Sequence, residues 1–166
     1  MDGMDVHVLG GKDNLTDVNA VIGLHQLKQL PAFQTRRSNL ARQYFDVIRA
    51  EMKSAGIEDL QLELPPENFT ESNWHMFQVL LPIEQLKTRN QNRSTVMQAL
   101  KDLGIGTGVH YPIITDFKLY KNLGYQSTNT PVAQQVGQAI LTLPLFPLMT
   151  NQNVERVVHS LENVFA

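Results

Sequence analysis

The sequence predicts an α+β fold: roughly three mostly antiparallel strands covered by helices, with a helical N-terminal arm. Three observations predict it. Two amphipathic runs open the chain. Three apolar stretches with strand character follow, each set among helical patterns. Two helix-start signals, Thr130-Pro131 and Thr150, close it. Strands interspersed with helices in 166 residues, about one domain by length, mark an α+β layer structure rather than a bundle or a barrel.

Taken in order, Thr16 is placed to cap a helix, and Asp17 complements its positive end. That helix carries Val21, Ile22, Leu24 and Leu27 and is expected to reach about Leu30, where Pro31 breaks or restarts it. A second helix to about Ser54 follows from Phe33, Leu40, Ala41, Tyr44, Ile48 and Met52, which recur at three- and four-residue spacing. Gly56 ends it. Residues 1–56 are thus the arm, and residues 57–166 the α+β domain.

Leu60, Leu62 and Leu64 alternate with polar residues, so a half-buried strand is expected up to Pro65-Pro66. Trp74 to Leu81 reads as a second strand, apolar on both faces at its end and therefore central. Ser94 is the expected cap of a helix bearing Val96, Met97, Leu100 and Leu103, closed by Gly104. Ile105, Thr107, Val109 and Tyr111 alternate as a third strand, and Asp116 to Leu123 is a short helix. Proline directly after Thr130 starts a helix over about 131–139. Leu141 to Pro147 reads as packing, with its prolines fixing the path. After Thr150, Val154, Val157, Val158, Leu161 and Phe165 form the apolar stripe of the last helix.

Composition narrows the function. Hydrophobic residues are 42% and charged residues 18%, as in ordinary globular proteins. The net charge of −2 offers no basic stripe for nucleic acid. With no cysteine, thiolate chemistry, disulfides and iron–sulfur clusters are excluded. His7, His25, His75, His110 and His159 show no HExxH-like spacing, so no metal site is expected. The apolar stretch Ala139–Met149 is too short for a span of ~20 residues, and Met1-Asp2-Gly3-Met4-Asp5 has no apolar leader; a cytoplasmic protein is expected.

Three segments carry potential chemistry. In Gly104-Ile105-Gly106-Thr107-Gly108-Val109-His110-Tyr111, three glycines and His110 would share one strand face. That face admits either a ligand or another backbone, with His110 then a ligand contact or a satisfied histidine of a bulged strand. Gly10-Gly11-Lys12-Asp13-Asn14 precedes a helix N-terminus, where backbone N–H groups and Lys12 suit a phosphate, or simply form a solvated loop. In Ser72-Asn73-Trp74-His75-Met76-Phe77, Trp74 and Phe77 read as core, while His75 faces the other side and reaches a cleft or a buried partner.

These segments, in this order, resemble the C-terminal part of the DegT/DnrJ/EryC1/StrS sugar aminotransferases. The resemblance runs through Leu15-Thr16-Asp17-Val18-Asn19-Ala20, Arg36-Arg37, Tyr44, Trp74-His75-Met76-Phe77, Gly104 to Tyr111 and Leu143-Pro144-Leu145-Phe146-Pro147. It implies the small C-terminal domain of fold-type I pyridoxal-phosphate (PLP) transferases. Among subfamilies it is similar to enzymes that move an amino group from glutamate to a 4-keto pentose nucleotide in lipid A modification. It further implies PLP bound mainly by a large domain outside these residues, which also supplies the Schiff-base lysine, and a homodimer or association with a large-domain chain. No catalytic residue is then expected here. Lys12 and Asn14 resemble the loop directed at a partner's cofactor phosphate; His110 and Tyr111 resemble residues facing the sugar nucleotide, and His75 is a further substrate-side candidate. Asp13, where an aromatic is usual, and Thr115, where a second histidine commonly follows, depart from the pattern. An interaction module built on exposed Leu24 and Leu27 is the alternative.

Overall fold

A single helix, α1 (Asp17–Ser54), takes the place of the two helices predicted for the arm. The structure is a computed structural model and describes residues 14–54 and 62–165. Pro31 lies inside α1, so the expected break is absent. A proline inside a helix forfeits one backbone bond and crowds the preceding turn, at about 3 kcal/mol. Strong helix formers flank it, and no glycine intervenes up to Ser54, so the helix continues through. Gly56 and Leu60 lie outside the described residues.

The chain divides into two compact units, Met1–Phe33 and Gln34–Ala166. In the first, the Asn19 N–H donates to Thr16 Oγ1 at 3.4 Å and the Ala20 N–H to the Thr16 carbonyl, so Thr16 caps as expected. Leu15, Val18, Val21, Ile22, Leu24, Leu27 and Leu30 are all exposed on this segment.

In the second unit, α1 buries Leu40, Ala41, Tyr44, Phe45 and Ile48, a helical stripe facing the core. Two strands form its centre, β1 (Phe77–Leu80) and β2 (Ile140–Leu143), antiparallel with Phe77 opposite Leu143 and Gln78 opposite Thr142. Single antiparallel bridges extend the layer on both sides, Glu63 to Leu80 and Gly108 to Thr142. Two of the three predicted strands are therefore single bridges. β2 lies where the sequence suggested only packing: all four of its residues are buried, which leaves no polar alternation to read.

The second predicted strand begins later than expected. Trp74 has φ +46°, a left-handed turn conformation, and its N–H donates to Ser72 Oγ at 3.1 Å. Its ring is nonetheless core, edge-on to Phe45, which is edge-on to Phe77 in turn. Tyr44 stacks on Phe77 with centroids 4.6 Å apart.

Further helices are α2 (Ile83–Thr88), α3 (Arg93–Asp102), α4 (Lys118–Asn122), α5 (Pro131–Ala139) and α6 (Asn151–Phe165), and all but α4 carry buried residues. α2 has no counterpart among the elements the sequence predicts. Asn92, not Ser94, caps α3: its side chain accepts from the Thr95 N–H while Thr95 Oγ1 accepts from the Asn92 N–H. α5 matches its expected bounds. Thr150 and Asn153 form a reciprocal cap on α6, whose Val154, Val157, Val158, Leu161 and Phe165 are buried. Arg93 donates to the Gly137 and Ile140 carbonyls at the end of α5, and burial lowers its pKa from the usual guanidinium value.

Candidate functional site

Strand alternation builds the site. Phe77 and Val79 of β1 face the core, so Gln78 points to the opposite face. Across the ladder, Gln78 pairs with Thr142, and Thr142 bridges to Gly108, so these three lie in one row. Backbone hydrogen bonds fix the last step, Gly108 N–H to the Thr142 carbonyl at 3.0 Å and Thr142 N–H to the Gly108 carbonyl at 2.8 Å.

His110 folds back over this row. Its Nδ1 lies 2.9 Å from Thr142 Oγ1, and the Gln78 side-chain amide donates to its carbonyl. The imidazole is thereby held through ring and backbone by adjacent strands. A Cβ on Gly108 would come within 2.6 Å of His110 Cε1, so only glycine leaves room for this ring. Tyr111 stands edge-on to His110 and is 70% exposed. The peptide between them is cis.

The glycines do not act as one face. Gly104 terminates α3 with φ +76°, a Cβ on Gly106 would meet nothing within 4 Å, and of the three only Gly108 lies close under His110. His75 is exposed two residues before β1, with its backbone N–H on Asn73 Oδ1 at 3.0 Å. Asn14 is exposed ahead of α1, and Lys12 and Asp13 lie outside the described residues. The structure thus joins His110 and Tyr111 and, among the described residues of the second unit, links neither to His75 by hydrogen bond or ring contact. Gln78 and Thr142 were missed by the sequence reading. The signal was there for Thr142, the one polar residue in Ile140-Leu141-Thr142-Leu143.

Elsewhere, Tyr44 donates to the Pro144 carbonyl at 2.7 Å, and burial raises its hydroxyl pKa well above the usual value. Glu51 of α1 shares a hydrogen bond with Glu162 of α6, which raises its pKa, with burial and the Glu162 charge adding and His159 opposing.

Solved structures carry this fold. The chain superposes on a putative sugar aminotransferase from Streptococcus pneumoniae, Spr1654, with TM-score 0.77 and 26% identity over 96% of this chain and 37% of that one. NtdA from Bacillus subtilis, solved with bound cofactor PMP, gives TM-score 0.72 and 26% identity over 98% of this chain and 36% of that one. The fold is therefore that of a part of an aminotransferase. The sequence pattern of the DegT/DnrJ/EryC1/StrS aminotransferase family matches residues 2–162, and the chain belongs to that family. The uncharacterized protein MJ1066 of Methanocaldococcus jannaschii is 31% identical over 93% of this chain, which spans 38% of that protein.

Spr1654 has also been solved in a PLP form. A PLP enzyme needs a lysine to form the Schiff base, in a pocket that excludes water. Among the described residues every lysine, including Lys28 and Lys101, is exposed. The described residues therefore do not fit the covalent anchor of that cofactor.

Proposed function

We propose that this chain is the C-terminal part of a PLP-dependent sugar-nucleotide aminotransferase and that it supplies the sugar-facing wall of the site. The amino donor is glutamate and the acceptor a 4-keto pentose nucleotide of the lipid A modification type. Family membership supports the reaction class. The observation that carries the local role is His110, held by Thr142 and Gln78 beside an exposed Tyr111. A fixed imidazole and a phenol are suited to hydrogen-bond sugar hydroxyls or a diphosphate. His75 joins this wall, and Lys12 and Asn14 reach the phosphate of a cofactor held across a subunit boundary. The cofactor is PLP, anchored by a lysine on the portion of the relatives' length that this chain does not span.

Alone, the chain transfers no amino group; with a large-domain partner, or as part of a homodimer that includes one, it does. Cytoplasmic placement goes with this reading, and no helix among the described residues is long and apolar enough to cross a membrane. The test is direct. The 166-residue chain is assayed for amino transfer from glutamate to a keto-sugar nucleotide, alone and mixed with a polypeptide carrying the large domain of Spr1654. Transfer only in the mixture is the expected result. Transfer by the chain alone, or no association with any large domain, overturns the reading.

A second reading is favoured by the exposed apolar run from Leu15 to Leu30: a non-catalytic interaction module. Sedimentation distinguishes it. Self-association that disappears in the double substitution Leu24→Glu and Leu27→Glu supports it, and a concentration-independent monomer removes it.

A further inference from the structure

Apart from the residues of the His110 row, three metal-ligating side chains converge between two helices. Glu51 lies in the last turn of α1, and His159 and Glu162 lie on adjacent turns of α6, three residues apart and hence on one face. One ligand atom from each falls within 4.8 Å of the others. His159 Nδ1 is 3.2 Å from Glu162 Oε2, and the Glu51 and Glu162 carboxyls touch.

We propose that Glu51, His159 and Glu162 form a zinc site that ties the end of α1 to α6. The imidazole separates this cluster from an ordinary patch of surface carboxylates. One nitrogen and two oxygen donors suit zinc, whereas magnesium prefers an all-oxygen shell and keeps its waters. Zinc bonds of ~2.0–2.2 Å put neighbouring donors roughly 3–4 Å apart, so the three side chains need to close by only about 1 Å. Side-chain rotation supplies that movement, since His159 is 66% exposed. The same exposure leaves the fourth position to water. No HExxH-like pattern announces the site, because its third ligand comes from a distant part of the sequence. Its ligands come from both helices, so a bound ion clamps the end of α1 to α6, independent of the aminotransfer reading.

The experiment is calorimetric titration of the 166-residue chain with zinc chloride and magnesium chloride, paired with thermal melts, on the natural sequence and on His159→Ala and Glu51→Gln. Expected are one zinc per chain, a melting temperature that climbs with the logarithm of zinc concentration, and no such response to magnesium. Each substitution should weaken zinc binding at least about tenfold while circular dichroism stays unchanged. Should Glu51→Gln fail to fold, Glu162→Gln takes its place. No saturable zinc binding below millimolar, equal binding of magnesium, or affinity that survives either substitution overturns the proposal.

Discussion

Replacing Tyr44 with phenylalanine separates the two ways this residue holds the second unit together. Its ring is buried and stacked on Phe77, and its hydroxyl donates to the Pro144 carbonyl at 2.7 Å. Tyr44→Phe keeps the stack and removes one partly buried hydrogen bond, which costs about 1–1.5 kcal/mol. For a chain of this size that lowers Tm by about 2–6 °C. Tyr44→Ala also empties the ring volume and should cost about 3–5 kcal/mol. The alkaline limb gives an independent check. Burial raises the folded pKa of Tyr44 above the unfolded value of about 10. Its protonated form therefore contributes stability that is fully present below pH 10 and is lost as pH rises through the folded value. The natural chain loses about 1.4 kcal/mol per pH unit in that window from this group, and Tyr44→Phe does not. The stability gap seen at pH 7 should thus shrink above pH 10 and vanish roughly one unit higher. Urea unfolding at pH 7 and between pH 9 and 11 measures both. A gap that stays constant with pH, or a Tyr44→Phe loss as large as that of Tyr44→Ala, refutes the reasoning.

The other predictions concern the His110 row and one helix cap. Gly108→Ala puts a methyl where His110 Cε1 sits, so it should cost about 1–3 kcal/mol and shift the imidazole 15N resonances; natural-sequence shifts would contradict the close approach. Thr142→Val removes the partner of His110 Nδ1, and should change the tautomer balance in the same spectra while altering stability by no more than about 1.5 kcal/mol. Asn92→Ala breaks the reciprocal cap on α3 and should cost about 1 kcal/mol in a denaturant melt, whereas Ser94→Ala should cost almost nothing.

How far the fold could be read in advance depended on whether a local rule or a distant contact decided each element. α5 and α6 follow from local chemistry: proline at the first helical position of one, and a hydroxyl cap plus an apolar stripe in the other. Pro31 misled because the local rule states only a cost, and the flanking helix outweighs it. Asn92 and Ser94 are both good caps on paper, and only the reciprocal bond with Thr95 selects between them. β2 is buried throughout, so it lost the alternation that marks a half-exposed strand. The flanking segments at Glu63 and Gly108 read as strands from their alternation, yet each pairs at one residue.

The candidate site divides along the same line. His110 stands out in the sequence because it would share a strand face with three glycines, and Tyr111 because the segment resembles the sugar aminotransferases. What orients His110 was not legible, because Gln78 and Thr142 each lie 32 residues away along the chain and meet it only when β1, β2 and the Gly108 bridge are in register. That dependence has a consequence for function. A slip of β1 by one residue in this register would turn Gln78 into the core and bring its apolar neighbours to the His110 face. The buried pairs Phe77–Leu143 and Val79–Leu141 oppose such a slip, since it would take Phe77 and Val79 of β1 out of the core. The apolar core thus sets the orientation of a polar site on the far face of the same strands. Core substitutions at Leu141 or Leu143 should therefore disturb the His110 resonances as well as stability, although neither side chain lies on the His110 face.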